Sequence, residues 1–230
     1  FNLEDRRPTF FEGIYQLPAG HNLSAGPDRT RTWSGWDLPA GRALRLGSEQ
    51  EYGEAFLEKF EQAVRCRLRS DGPVGSQLSG GLDSSAIVAV AGRLLEGRQL
   101  HTYSAVFPRL VEQFPRIDER PWINQVVAQG RLQAHEVRAD CLDPLEALEI
   151  SDDEPAPVPN LWLNWGSFRE ARQNGVLTML SGIDGDTAIS YGHGYMAELM
   201  TTFRWKRLAS EAQALSVRTR KPLRSVLREY

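Results

Sequence analysis

A buried strand that breaks on a pair of glycines and resumes as a helix restricts this chain more than any other feature. Val74 to Leu78 reads as a short strand, Ser79-Gly-Gly-Leu-Asp-Ser-Ser85 follows, and Ser84 to Leu95 is dense in Ala, Val and Ile. Two adjacent glycines let the backbone turn sharply and approach an anion with no Cβ in the way. The free N–H groups and dipole of the following helix face the same spot. With hydroxyls from Ser79, Ser84 and Ser85, the loop forms a nest for phosphate oxygens. It is not a Walker A loop, because the Gly-Lys-Ser/Thr ending is missing. An Asp inside an anion site repels phosphate unless a cation is present, so Asp83 is read as a ligand of Mg²⁺. For a bare Gly-Gly-X-Asp, a strand-to-helix turn with Asp83 near a cap would be preferred. The full string after a buried strand favours the phosphate site.

The flanking pattern gives that loop a setting. Apolar residues recur at helical spacing from Glu51 to Arg69, and Asp71-Gly72-Pro73 ends the run. Leu100 to Phe107 alternates as a strand, Asp118 to Gly130 reads as a helix, and Glu136 to Arg138 as a short strand. Leu161 to Gln173 reads as a helix. Val176 to Leu180 is a second buried strand that runs into a Gly/Asp loop, Ser181-Gly-Ile-Asp-Gly-Asp186. Helices follow from Tyr195 to the end. Strand–helix alternation with such crossovers predicts an α/β fold, a parallel sheet with helices on both faces. Ligands in such sheets bind beyond the carboxyl ends of the strands, where both loops lie. Residues 9–23 read as the last strands of a β-rich unit, and 24–48 as a linker anchored by Trp33 and Trp36.

Composition removes several classes. Twenty-seven basic against thirty acidic residues, a net charge of −3, argues against wholesale nucleic-acid wrapping. The basic C-terminal stretch (Arg204, Lys206, Arg207, Arg218, Arg220, Lys221, Arg224, Arg228) reads as a solvated helical face. The two cysteines, Cys66 and Cys141, form no disulfide framework and read as inert packing residues in a reducing cytoplasm. No run of about 18 apolar residues predicts a membrane span. The four histidines share no metal-ligand spacing.

Ser79-Gly-Gly-Leu-Asp-Ser-Ser85 resembles the pyrophosphate loop of the N-type ATP pyrophosphatases, the PP-loop superfamily with an adenine nucleotide alpha-hydrolase-like fold. Its flanks, Asp71-Gly-Pro-Val-Gly-Ser-Gln-Leu78 and Ala86-Ile-Val-Ala89, are similar to the synthetase domain of glutamine-hydrolysing asparagine synthetases. Phe10-Phe-Glu-Gly-Ile14 and Leu17-Pro-Ala-Gly-His21 resemble the end of that family's glutaminase domain. Asp118-Glu119, Asp153-Glu154-Pro155, Ser181-Gly182 and Asp186 match further family positions. The resemblance implies a glutaminase remnant and linker at 1–45, and an ATP pyrophosphatase domain at 46–230 that is incomplete at its C-terminus. It implies ATP and Mg²⁺ as cofactors, with Asp83 and Asp186 on the metal. Leu78, Ser79, Gly80, Gly81, Asp83, Ser84, Ser85, Val106, Ser181 and Gly182 would line the nucleotide. The backbone of Ser104 to Phe107 would flank the adenine, although Val106 and Phe107 could equally be core. It implies a ligase that adenylates aspartate or a similar small or peptide carboxylate, fed by an upstream glutaminase or another amine donor. A homodimer fits that picture; nucleic-acid and membrane partners do not.

The second loop departs from the family. Asparagine synthetases read Ser-Gly-Glu-Gly here, with the Glu near the incoming nitrogen; this chain has Ile183, and Asp184 in place of a Gly. Asp184 and Asp186 are the catalytic candidates that remain. Thr187 stands where a Glu usually follows the metal-binding Asp, and Tyr191-Gly-His-Gly-Tyr195 is unlike the usual Phe-Gly-Gly-Tyr. Lasso-peptide cyclases and β-lactam synthetases resemble this fold, lack that Glu and use a tethered amine. A non-catalytic nucleotide-binding relative is the third reading.

Overall fold

The computed structural model describes residues 9, 11–37, 44–144, 160–183, 185–188 and 194–229. The chain divides into two compact units, one formed by 1–63 and 141–165 and the other by 64–140 and 166–230.

In the first unit β1 (His21–Ala25) and β2 (Thr30–Ser34) form an antiparallel hairpin, with Leu23 opposite Thr32. The turn closes through the Gly26 N–H, which donates to the Arg29 carbonyl at 3.0 Å. Only the end of the stretch read as strands is therefore extended, and the second strand falls inside the expected linker. Pro27-Asp28 supplied turn chemistry that was read as linker composition. Trp33 and Trp36, read as anchors, are both largely exposed. The helix α1 (Glu49–Arg67) begins here, with acidic residues in its first turn and arginines in its last, as the helix dipole favours.

The second unit is built on a four-stranded parallel sheet of order β5-β4-β3-β6. Its strands are β3 (Val74–Gln77), β4 (Leu100–Val106), β5 (Leu132–Arg138) and β6 (Thr178–Leu180). Between them run α2 (Leu82–Leu94), the short α3 (Pro108–Val111), α4 (Arg120–Val127) and α5 (Leu161–Gln173). The α/β parallel-sheet class is the one the sequence predicts, with the strongest elements within a few residues of their expected bounds. β5 is longer and β6 shorter than expected; among the described residues β6 is an edge strand, paired with β3. The chain lays down β3, β4 and β5 in one direction and then returns to put β6 on the other side of β3. Strand order therefore reverses at β3/β6, the switch point at which open α/β sheets bind ligands.

Beyond β6 come the one-turn α6 (Gly185–Ala188), α7 (Tyr195–Thr201), α8 (Trp205–Thr219) and α9 (Leu223–Glu229). Met196, Leu199, Leu208 and Ala212 join α7 to α8 in a small apolar core. The arginines and lysines of this region are exposed, as expected of a solvated face, and Arg207 lies 3.9 Å from Glu211. Cys66 and Cys141 are both exposed, which corrects their reading as packing residues: Cys66 sits on the outer side of α1, whose buried residue is Val64.

The sheet core is tight. Val74, Leu78, Leu100, Thr102 and Tyr103 are essentially inaccessible. At Gly75 a Cβ would lie 2.5 Å from Met179 Sδ, 3.0 Å from Tyr103 Cε2 and 3.0 Å from Val176 Cγ1. On the same strands His101, Tyr103 and His135 stack as near-parallel rings. His101 Nδ1 and His135 Nε2 are 3.1 Å apart. The pairing of β4 with β5, not sequence spacing, brings these histidines together.

Two tests follow from this packing. Gly75→Val should cost about 1–3 kcal/mol by overpacking, seen as a lower urea midpoint at unchanged m-value; an unchanged midpoint would mean that the sheet has room there. Burial, and secondarily the neighbouring His135, push the His101 imidazole below its usual value of 6.5. The unfolded chain then takes up that proton first, so the His101 contribution is present above about pH 6.5 and is lost as pH falls below it. Denaturation midpoints between pH 8 and 5 should show the decline, and His101→Gln should flatten it.

Candidate functional site

The first loop is held by its own side chains. The Ser84 hydroxyl accepts from the Ser79 N–H at 3.2 Å and donates to the Gly81 carbonyl at 3.2 Å. Ser79 Oγ lies 3.1 Å from Ser84 Oγ and accepts from the Gly81 N–H at 3.3 Å. Ser84 is thus a brace inside the turn, and the Ser85 hydroxyl is buried without a partner. Neither hydroxyl is turned outward as the sequence reading has it. Gly80 adopts φ +79°, and a Cβ there would meet Trp122 Cβ at 2.8 Å and the Ile123 backbone nitrogen at 3.2 Å. Gly81 caps α2 in extended conformation with no side-chain capping bond, so Asp83 does not serve as its cap. Helix α2 opens at Leu82, two residues earlier than the sequence suggests, which brings Asp83 into the first turn.

The second loop lies across that turn. Gly182 is so close that a Cβ would fall 2.9 Å from the Ser84 backbone nitrogen and 3.2 Å from Asp83 Cβ. Gly185 sits against the Asp83 carboxylate, its Cβ position 2.7 and 2.8 Å from the two oxygens. Ser181 ties the loops together: its hydroxyl donates to Gln77 Oε1 at 2.7 Å and accepts from the Ile183 N–H at 3.2 Å. Gln77, the last residue of β3, was not singled out from sequence; a polar residue closing a buried strand was the available signal. Asp186 follows Gly185 and is exposed, and Ile183 is exposed beside it. Leu78 and Val106 are core residues with almost no accessible surface, the packing alternative that the sequence leaves open for Val106. Asp184, His193 and Asp153-Glu154-Pro155 lie outside the described residues.

A third element closes on the first loop. Asp118 accepts from Arg120 Nε at 2.7 Å and Nη2 at 2.9 Å, which holds its carboxyl below the ordinary range and the guanidinium above it. Glu119, next in the chain, has its carbonyl 3.4 Å from the Cβ position of Gly80. Its carboxyl is accessible to solvent, yet surrounding protein desolvates it enough to raise its pKa.

Parallel strands delivering two glycine–aspartate loops to one switch point define an α/β domain of the PP-loop class. The chain belongs to the asparagine synthase family, whose profile matches residues 55–229. It is 28% identical over 216 residues to asparagine synthetase (glutamine-hydrolysing) 3 of Bacillus subtilis, covering 87% of this chain and 34% of that protein. It is 30% identical over 196 residues to a putative asparagine synthetase 2 of Methanocaldococcus jannaschii, covering 83% and 36%. Over 104 residues it is 39% identical to amidase chry2 of Gibberella zeae, covering 44% and 16%. The chain thus spans about a third or less of the length of these relatives.

The loop geometry is testable by stability alone. Gly80→Ala combines a left-handed backbone with contact on Trp122 and should cost about 1–3 kcal/mol. Gly81→Ala, in extended conformation with only Ser79 Oγ near its Cβ at 3.4 Å, should change little. Equal thermal midpoints for the two variants would refute the described turn.

Proposed function

We propose that this chain is the ATP-using part of an amide-forming ligase that activates a carboxylate by adenylation. The observation that carries the reading is the seating of the Asp83 carboxylate against Gly185, where glycines leave room between two loops that both end parallel strands. The oxygen ligands available there suit a hard cation, and Asp83 and Asp186 are the residues that would hold it. Bound between them, Mg²⁺ would offset the charge of a departing pyrophosphate. The first-turn N–H groups of α2 and the glycine backbone would orient the phosphates. The substrate carboxylate would attack the α-phosphorus of ATP, pyrophosphate would leave along the first loop, and an amine would displace AMP from the acyl-adenylate. The protein's part is positioning and charge neutralisation. Ser181 fixes the second loop on Gln77, and we assign to Asp184 the proton-accepting role that the family's Glu would have.

On this reading residues 1–45 are the end of an upstream glutaminase-type domain, 46–230 the synthetase domain, and the setting cytoplasmic. Among the described residues no helix is long and apolar enough to cross a membrane. A tethered-amine cyclase is the second reading, favoured by Ile183, an exposed side chain with no proton-accepting group where the family carries Glu.

The assignment of Asp83 is tested by ATP–pyrophosphate exchange on the full-length protein. Asp83→Asn should abolish exchange while leaving the circular dichroism spectrum unchanged. Exchange within tenfold of wild type in a folded variant would remove Asp83 from the mechanism.

A further inference from the structure

Backbone pairing between β3 and β6 ends with Ser76 opposite Leu180. One residue further on, the side chains continue it: the Ser181 hydroxyl donates to Gln77 Oε1 at 2.7 Å. The two ends of this bond are unequally anchored. Gln77 is still inside the sheet, opposite Tyr103 of β4, and the Leu78 N–H that follows donates to the Tyr103 carbonyl at 2.9 Å. Ser181 has already left β6, an edge strand of the described sheet. The bond therefore holds the second loop to the sheet.

Its effect runs on along that loop. With its proton committed to Gln77, the Ser181 oxygen still has a lone pair to offer, and it accepts from the Ile183 N–H at 3.2 Å. Carbonyl and N–H point opposite ways in a trans peptide. The Gly182 carbonyl is thus turned away from Ser181, where it accepts from the Gly185 N–H at 3.2 Å. Gly182 and Gly185 are the two residues that pack on Asp83, and Asp186 comes next. The first loop needs no such tie, because bonds among Ser79, Gly81 and Ser84 close it from within.

Resting on the ligase reading above, we infer that Gln77 is a positioning residue for the adenylation step. Acting through Ser181, it sets Gly185 and Asp186 against Asp83, on the side of the site that the first loop cannot organise by itself. Ground-state binding of the phosphates by the first loop is then independent of Gln77. Stabilisation of the departing pyrophosphate is not.

The test uses Gln77→Leu, which keeps the bulk and removes the acceptor, in the full-length protein. ATP–pyrophosphate exchange is followed with aspartate, N-acetylaspartate amide and N-acetylglutamate amide. A kcat lowered about 10–100-fold with KM for ATP within about threefold is the expected result. Amide hydrogen exchange should quicken at Ile183 and Gly185 and stay unchanged at Gly81. Ser181→Ala removes the same bond from the loop side, and should quicken the same two amides even if Gln77→Leu fails to fold. Adding Gln77→Leu to Ser181→Ala should bring no further loss of kcat. Losses that multiply would make Gln77 an independent packing element and overturn the inference. An unchanged kcat, or a raised KM for ATP at unchanged kcat, overturns it too and leaves the ligase reading standing. Wild-type protein that exchanges with none of the three acids overturns both.

Discussion

Everything in the candidate site depends on the parallel pairing of β6 with β3. Val74, Gly75 and Ser76 lie opposite Thr178, Met179 and Leu180, so both strands end at the same level and release their loops side by side. Because β4 and β5 lie on the other side of β3, the strand order reverses at this edge, the place where open α/β sheets bind ligands. The pairing is tight because Gly75 contributes no side chain where Met179, Tyr103 and Val176 converge. The same device recurs at the loops, where Gly80, Gly182 and Gly185 admit another element at distances a side chain would forbid. The glycines therefore do two jobs. Gly75 lets the sheet close, Gly80 lets α4 approach the first loop, and Gly182 and Gly185 let the second loop close on Asp83.

Much of the scaffold was legible in the sequence, and the reasons are local. The strand at Val74, the helix at Leu161–Gln173 and the alternating strand at Leu100 each carry a period that short-range physics imposes. The two Gly/Asp loops announced themselves for the same reason. What was not legible was pairing: nothing local says that β6 returns beside β3 or that His101 meets His135 across β4 and β5. The hairpin in the first unit was half missed because its turn shares Gly, Pro, Ser and Arg with a linker. Side-chain direction was a second blind spot. Ser84 and Ser85 looked like phosphate donors by type, yet their hydroxyls turn inward, one into the loop's own bonds and one into the protein. Trp122 and Gln77 gained meaning only through what they touch.

The distribution of polar groups separates holding from reaction. Ser79, Ser84, Ser181 and Gln77 bond one another or the backbone and set the shape of the two loops. Among the described residues Asp83 stands apart from this network, its carboxylate set against the backbone of Gly185. A cation held by Asp83 and Asp186 belongs to the proposed function, whereas the Ser84 hydroxyl is already engaged within the loop. At Glu119 desolvation favours the neutral carboxyl.

The departure at Ile183 acquires a physical sense in this setting. Glutamate at that position would add a carboxylate next to Gly182, which packs on Asp83, and like charges brought together disfavour each other's ionisation. Isoleucine removes the repulsion and also removes a proton acceptor, so the two consequences cannot be separated by sequence. The altered loop is set against the start of α2, where Gly182 packs on Asp83 and Ser84.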